Sequence, residues 1–130
     1  MAYITIQSLE AALTPQILIE LTNEQYADSI NEDVANRVIR SACELIDGYL
    51  RARYPVPLSS APTMIHDVAV DLALHSLYKR RPESDISEAM IAARKEAIRK
   101  LEDIRDNKIH LGIESDDKAQ DEEPRWRVKS

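Results

Sequence analysis

The stretch that most restricts this chain is Val34 to Arg51, VANRVIRSACELIDGYLR. Wound at about 100° per residue, it separates into two halves with no residue misplaced. Val34, Ala35, Val38, Ile39, Ala42, Cys43, Leu45, Ile46, Tyr49 and Leu50 share one side. Asn36, Arg37, Arg40, Ser41, Glu44, Asp47, Gly48 and Arg51 share the other. Such a helix buries a wide face and keeps a polar back for solvent or a partner. Asn31 is placed to cap it, and Glu32 and Asp33 suit the positive end of its dipole. Asp33–Arg37 and Asp47–Arg51 are i,i+4 pairs in the favourable order. Pro55 and Pro57 force YPVPL to be extended, so the helix is predicted over 32–53.

Two more long helices follow. Residues 62–79 begin on Pro62, and proline is tolerated at a helix start. Ile65, Val68, Ala69, Leu72, Ala73, Ser76 and Leu77 form a stripe that Val70 and Leu74 widen. A helix apolar around most of its circumference belongs at the centre of a bundle. The third helix is predicted over 85–107, started by Ser84 or Asp85. Ile86, Met90, Ala93, Ala97, Ile98, Leu101 and Ile104 are its inner face, and Lys95, Glu96, Arg99, Lys100, Glu102 and Asp103 its solvated one. Ahead of these lies a short helical pair. Thr5 caps IQSLEAAL, and Thr14-Pro15 restarts the chain into PQILIEL. The fold class is therefore all-α: three long helices, a short N-terminal pair and an extended C-terminal tail. Leu45, Ile46, Tyr49, Ile65, Val68, Leu72, Ala97 and Leu101 are the expected core.

Composition agrees with this. Two glycines, no phenylalanine and many Ala, Leu, Ile, Glu, Arg and Lys leave little material for turn-rich β architecture. At 130 residues the chain makes one domain with a real core. We place that domain at 1–112 and a flexible charged tail at 113–130. The tail opens with ESDDKAQDEE and closes with PRWRVKS, which holds the only tryptophan, Trp126. It has too little apolar matter to fold alone. KIHLGI, between helix and tail, is an apolar-alternating segment suited to lying on the bundle or pairing with another chain.

The formal net charge of −6 argues against a general binder of duplex nucleic acid. The single cysteine, Cys43, gives no disulfide framework and suits a reducing compartment. No apolar run is long enough to span a bilayer and no signal-peptide pattern is present, so the expectation is a soluble product with no membrane partner.

Few constellations offer chemistry. Asp67, Asp71 and His75 recur at i, i+4, i+8, but that row spans about 12 Å, too far for one ion to touch all three. It reads better as a polar strip. The loop 22–33, TNEQYADSINED, lacks the acidic spacing and central glycine of a calcium loop. No glycine-rich phosphate loop exists, and no nucleophile stands beside a base. The expectation is no catalytic residue, no cofactor, no metal and no enzymatic activity. Arg51, Arg53, Arg80 and Arg81 read as a basic patch near adjoining helix ends, either complementing helix dipoles or meeting an acidic partner or passing DNA.

One block is specific enough to carry a resemblance. IDGYLRARYPVPL (46–58) resembles a signature of a Mu-like prophage neck protein family, similar to head–tail connectors of tailed phages. The opening MAYIT, the helix pattern DVAVDLALHSLY (67–78) and the closing LEDIRDNKIHLG (101–112) add weaker support, and the resemblance ends near residue 112. It implies a structural subunit made in the bacterial host cytoplasm and placed in the virion neck. There it would form a homo-oligomeric ring between portal and tail. It would extend the DNA channel, with DNA only in passage, and dock the portal protein and other neck or tail proteins. The polar back of helix 32–53 is the candidate protein interface, through Arg37, Arg40, Glu44, Gly48 and Arg51, with Trp126 as a second anchor. The other class left open is a small cytoplasmic helical adaptor or regulator acting by protein–protein binding.

Overall fold

The computed structural model describes residues 2–81 and 86–113. It contains α1 (Ile6–Ala12), α2 (Pro15–Thr22), α3 (Glu32–Leu50), α4 (Thr63–Lys79) and α5 (Glu88–Arg105), and no strand among the described residues. The all-α expectation is met, with a short pair followed by three long helices. The C-terminal tail falls outside the described residues from position 114 on, as does the proposed start of the third helix at Ser84 or Asp85.

Each start is set by a local signal. The Thr5 hydroxyl accepts from Ser8 N–H at 3.2 Å, and Ser8 Oγ accepts from Thr5 N–H at 3.1 Å, a reciprocal capping box. Thr14 Oγ1 accepts from Ile17 N–H at 3.1 Å just ahead of Pro15. Asn31 Oδ1 accepts from Val34 N–H at 3.3 Å, with Glu32 and Asp33 in the first turn of α3. Ser87 Oγ accepts from Met90 N–H at 3.1 Å. Ser87 therefore sets the start of α5, later than the expected 85. At its other end α3 stops at Leu50, earlier than the expected 53. Arg53 and Tyr54 both donate their N–H to Leu50 O at 2.9 Å, which tightens the chain into a turn before Pro55.

Centrality goes to α4, which packs against all four other helices. Its Ile65, Val68, Ala69, Leu72, Ala73 and Leu77 are buried. Ala69 and Ala73 are small enough to let neighbouring helices approach closely. Burying each larger side chain contributes about 1.5–3 kcal/mol. From α3 come Val34, Ala35, Val38, Ile39, Ala42, Cys43, Ile46 and Leu50. Only Ala97, Leu101 and Ile104 of α5 are buried. The first half of α5 is peripheral: Met90 and Ala93 are half-buried, and Ile91 is exposed. The segment 109–113 lies on the bundle, with Ile109, Leu111 and Ile113 packed against the core. Leu111 N–H donates to Tyr54 Oη at 3.0 Å, and the His110 ring stands edge-on to Tyr54 at 5.8 Å.

Two expected core residues are corrected. Leu45 is 36% exposed, and Tyr49 is half-buried with the Arg105 guanidinium 5.5 Å over its ring. Both lie on the same edge of the α3 apolar arc. In this half of the helix the buried set rotates toward Cys43, Ile46 and Leu50, because the N-terminal arm clasps the opposite edge through Cys43 and Asp47.

The contrast between two leucines gives a direct check. Leu72→Ala should cost about 2–5 kcal/mol of stability. Leu45→Ala should cost under about 1 kcal/mol, as for a half-exposed site. Urea unfolding followed by circular dichroism measures both, and equal losses would contradict the packing described.

Candidate functional site

The outer face of α3 is where the chain offers the most to another molecule. Arg37, Arg40, Ser41, Glu44, Gly48 and Arg51 are all exposed. Among the described residues none of Arg37, Arg40, Glu44 or Arg51 forms an ion pair, although the first three sit on α3 and Arg51 is its C-cap. A Cβ added at Gly48 would meet nothing within 4 Å. Exposed Leu45 borders this face on one side. On the other side a shallow open groove of about 590 Å³ runs between α3 and the N-terminal arm. Asn36, Arg40, Glu44 and Asp47 form one wall, Ala2 and Pro57 the other, with Ile39 and Cys43 in the floor.

That groove is held in shape by Tyr3. Its hydroxyl donates to Asp47 Oδ1 at 2.5 Å and accepts from Leu58 N–H at 2.8 Å. Its own N–H donates to Cys43 Sγ at 3.3 Å. One side chain thus joins the arm, α3 and the proline-containing connection to α4. Burial, with the Asp47 hydrogen bond adding to it, pushes the Tyr3 phenol far above its ordinary value. Burial likewise pushes the Cys43 thiol up, so it behaves as a small apolar residue rather than a nucleophile. Asp47 is committed to Tyr3 rather than to the expected partner Arg51.

The four expected basic residues do not make one patch. Arg80 donates to Leu21 O at 2.7 Å and pairs with Glu24 at 3.4 Å. Arg81 donates to Glu20 O and, at 3.0 Å, to Asn23 O. Both therefore satisfy carbonyls at the C-terminal end of α2, the dipole-complementing role, on a helix other than their own. The end of α2 adjoins the start of α3, since Asn31 N–H donates to Thr22 Oγ1 at 3.0 Å. Arg51 and Arg53 follow the opposite end of α3.

The row Asp67, Asp71, His75 stays a polar strip. Burial raises the Asp71 carboxyl, partly offset by Lys100. Burial lowers the His75 imidazole, and Arg94 and Lys79 reinforce that. Among the described residues no group of three or more His, Cys, Asp or Glu could hold a metal ion. No helix among them is long and apolar enough to cross a membrane.

Two features escaped the sequence reading. Nothing in MAYIT marks Tyr3 as a clasp. Loop 22–33 was weighed only as a calcium loop, although its lone aromatic, Tyr26, is 91% exposed. An aromatic in an otherwise polar loop was the available signal. Trp126 lies outside the described residues.

Comparison with known proteins now decides the lineage. The family model described as Bacteriophage Mu, Gp36 matches residues 3–130. This chain belongs to that phage family. It is 34% identical over 116 residues to "Gene product J" of Escherichia phage Mu, spanning 88% of this chain and 79% of that protein. It is 26% identical over 121 residues to the Mu-like prophage FluMu protein gp36 of Haemophilus influenzae, spanning 93% and 83%. The match reaches residue 130, so the tail lies inside it, whereas the resemblance read from sequence stopped near 112. The IDGYLRARYPVPL and LEDIRDNKIHLG blocks fall within the matched residues, as does MAYIT from Tyr3 onward.

Tyr3→Phe removes a hydroxyl that satisfies two partners. Expected is a loss of about 1–3 kcal/mol of stability and faster alkylation of Cys43 in the folded protein. Unchanged stability and unchanged thiol reactivity would contradict the clasp.

Proposed function

We propose that this chain is a structural subunit of a tailed-phage or prophage neck, a ring between portal and tail that extends the DNA channel and docks further neck or tail proteins. The observation that carries this is the outer face of α3: charged side chains without ion-pair partners among the described residues, on a helix whose other face is mostly buried in the core. Membership of the phage Mu Gp36 family supplies the setting. A ring subunit needs head-to-tail contacts that close by rotation, and a rigid helix face supplies one half of such a contact. A net charge of −6 suits a channel through which DNA slides, because the chain does not neutralise phosphates as a DNA-gripping protein does. The chemistry lies in surfaces rather than in a catalytic centre.

Native mass spectrometry of the purified chain tests this reading. A closed oligomer of fixed subunit number is expected. Arg40→Glu and Glu44→Arg, made separately, should each weaken assembly roughly tenfold while helicity stays unchanged. A chain that remains monomeric at every concentration contradicts the ring.

A further inference from the structure

We infer that the partner of the α3 outer face is the α2–α3 loop of a second copy, with Tyr26 seated beside Leu45 and Gly48. This rests on the ring reading and deepens it. Residues 23–31 project a preorganised knob. Asn23 Nδ2 donates to Ile19 O and Ser29 O, both at 2.9 Å, and so bridges the two feet of the loop. Thr22, 1% exposed, donates to Leu18 O at 2.9 Å and accepts from Asn31 N–H at 3.0 Å. Between those feet Tyr26 stands 91% exposed, its hydroxyl donating to Asp28 Oδ1 at 2.8 Å. A large amphipathic ring on a fixed loop is the kind of group that anchors an interface at low entropic cost.

Charge selects the socket. The knob is acidic, with Glu24 and Asp28 exposed beside Tyr26 and Glu32 and Asp33 exposed just behind. The α3 outer face is net cationic, with Arg37, Arg40 and Arg51 against Glu44 and, at its edge, Asp47. Leu45, 36% exposed, gives the ring an apolar neighbour, and the space above Gly48 is open. The loop cannot reach this place on its own molecule. Gly48 lies about 24 Å along α3 from Glu32, at 1.5 Å per residue, and the loop feet are pinned at the α3 start. Two different patches that fit only between molecules make a head-to-tail contact, which closes into a ring when the rotation allows.

Proximity crosslinking tests the contact directly. In a Cys43→Ala background, Tyr26→Cys and Gly48→Cys are combined in one chain and oxidised under native conditions. A ladder of covalent multimers on denaturing electrophoresis is expected, with neither single variant extending beyond a dimer. Tyr26→Ala should weaken self-association roughly tenfold or more at unchanged circular dichroism. An oligomer by native mass that gives no ladder and is indifferent to Tyr26→Ala overturns this contact and leaves the ring standing. A monomer that gives no ladder overturns both.

Discussion

Everything in this bundle depends on the burial of α4. Outside the narrow strip of Asp67, Asp71 and His75 its circumference is too apolar to be left in water, and every other helix packs against it. The short helices α1 and α2 are too small to be stable alone, and they hold together by packing over α4 and α3. The same demand explains the asymmetry of α5. Only its second half, at Ala97, Leu101 and Ile104, closes the core.

Covering α4 decides what α3 can offer. A helix with a half-wheel of apolar residues spends that half on the core and leaves the other half out. Tyr3 then fixes how far that division rotates. By holding Asp47 and Leu58 N–H together it draws one edge of α3 under the arm, and Leu45 emerges on the other edge. One phenol thus shapes both borders of the outer face: the groove by the arm, and the apolar margin at Leu45. Arg80 and Arg81 make a comparable contribution at the far end, where they hold the carbonyls of α2 and steady the base of the Tyr26 loop.

Much of the architecture was legible because it rests on periodicity and caps, which are local. Thr5 and Asn31 cap as their positions foretold, Pro15 opens α2, and Pro55 follows a helix that had already ended. Ile65, Val68, Leu72, Ala97 and Leu101 are buried as the stripes required. What failed was non-local. Leu45 satisfies the wheel, and its exposure depends on an arm more than forty residues away. Arg80 and Arg81 were grouped with Arg51 and Arg53 by charge, whereas their partners are carbonyls brought near only by the fold. The candidate surface was visible as a polar half-wheel, since a face excluded from the core is by definition available. Its acidic counterpart on loop 23–31 was not, because exposure and rigidity in a loop come from hydrogen bonds such as Asn23 to Ser29 O that no spacing announces.

The central proposal is that the α3 outer face is an interface in a phage particle. Electron cryomicroscopy of particles from the prophage that encodes this chain tests it most directly. The account predicts a ring of this five-helix fold at the DNA-exit vertex, between portal and tail, with Arg37, Arg40 and Glu44 turned onto another chain. Particles without this fold at that vertex, or a ring in which the α3 outer face meets only solvent, would contradict it.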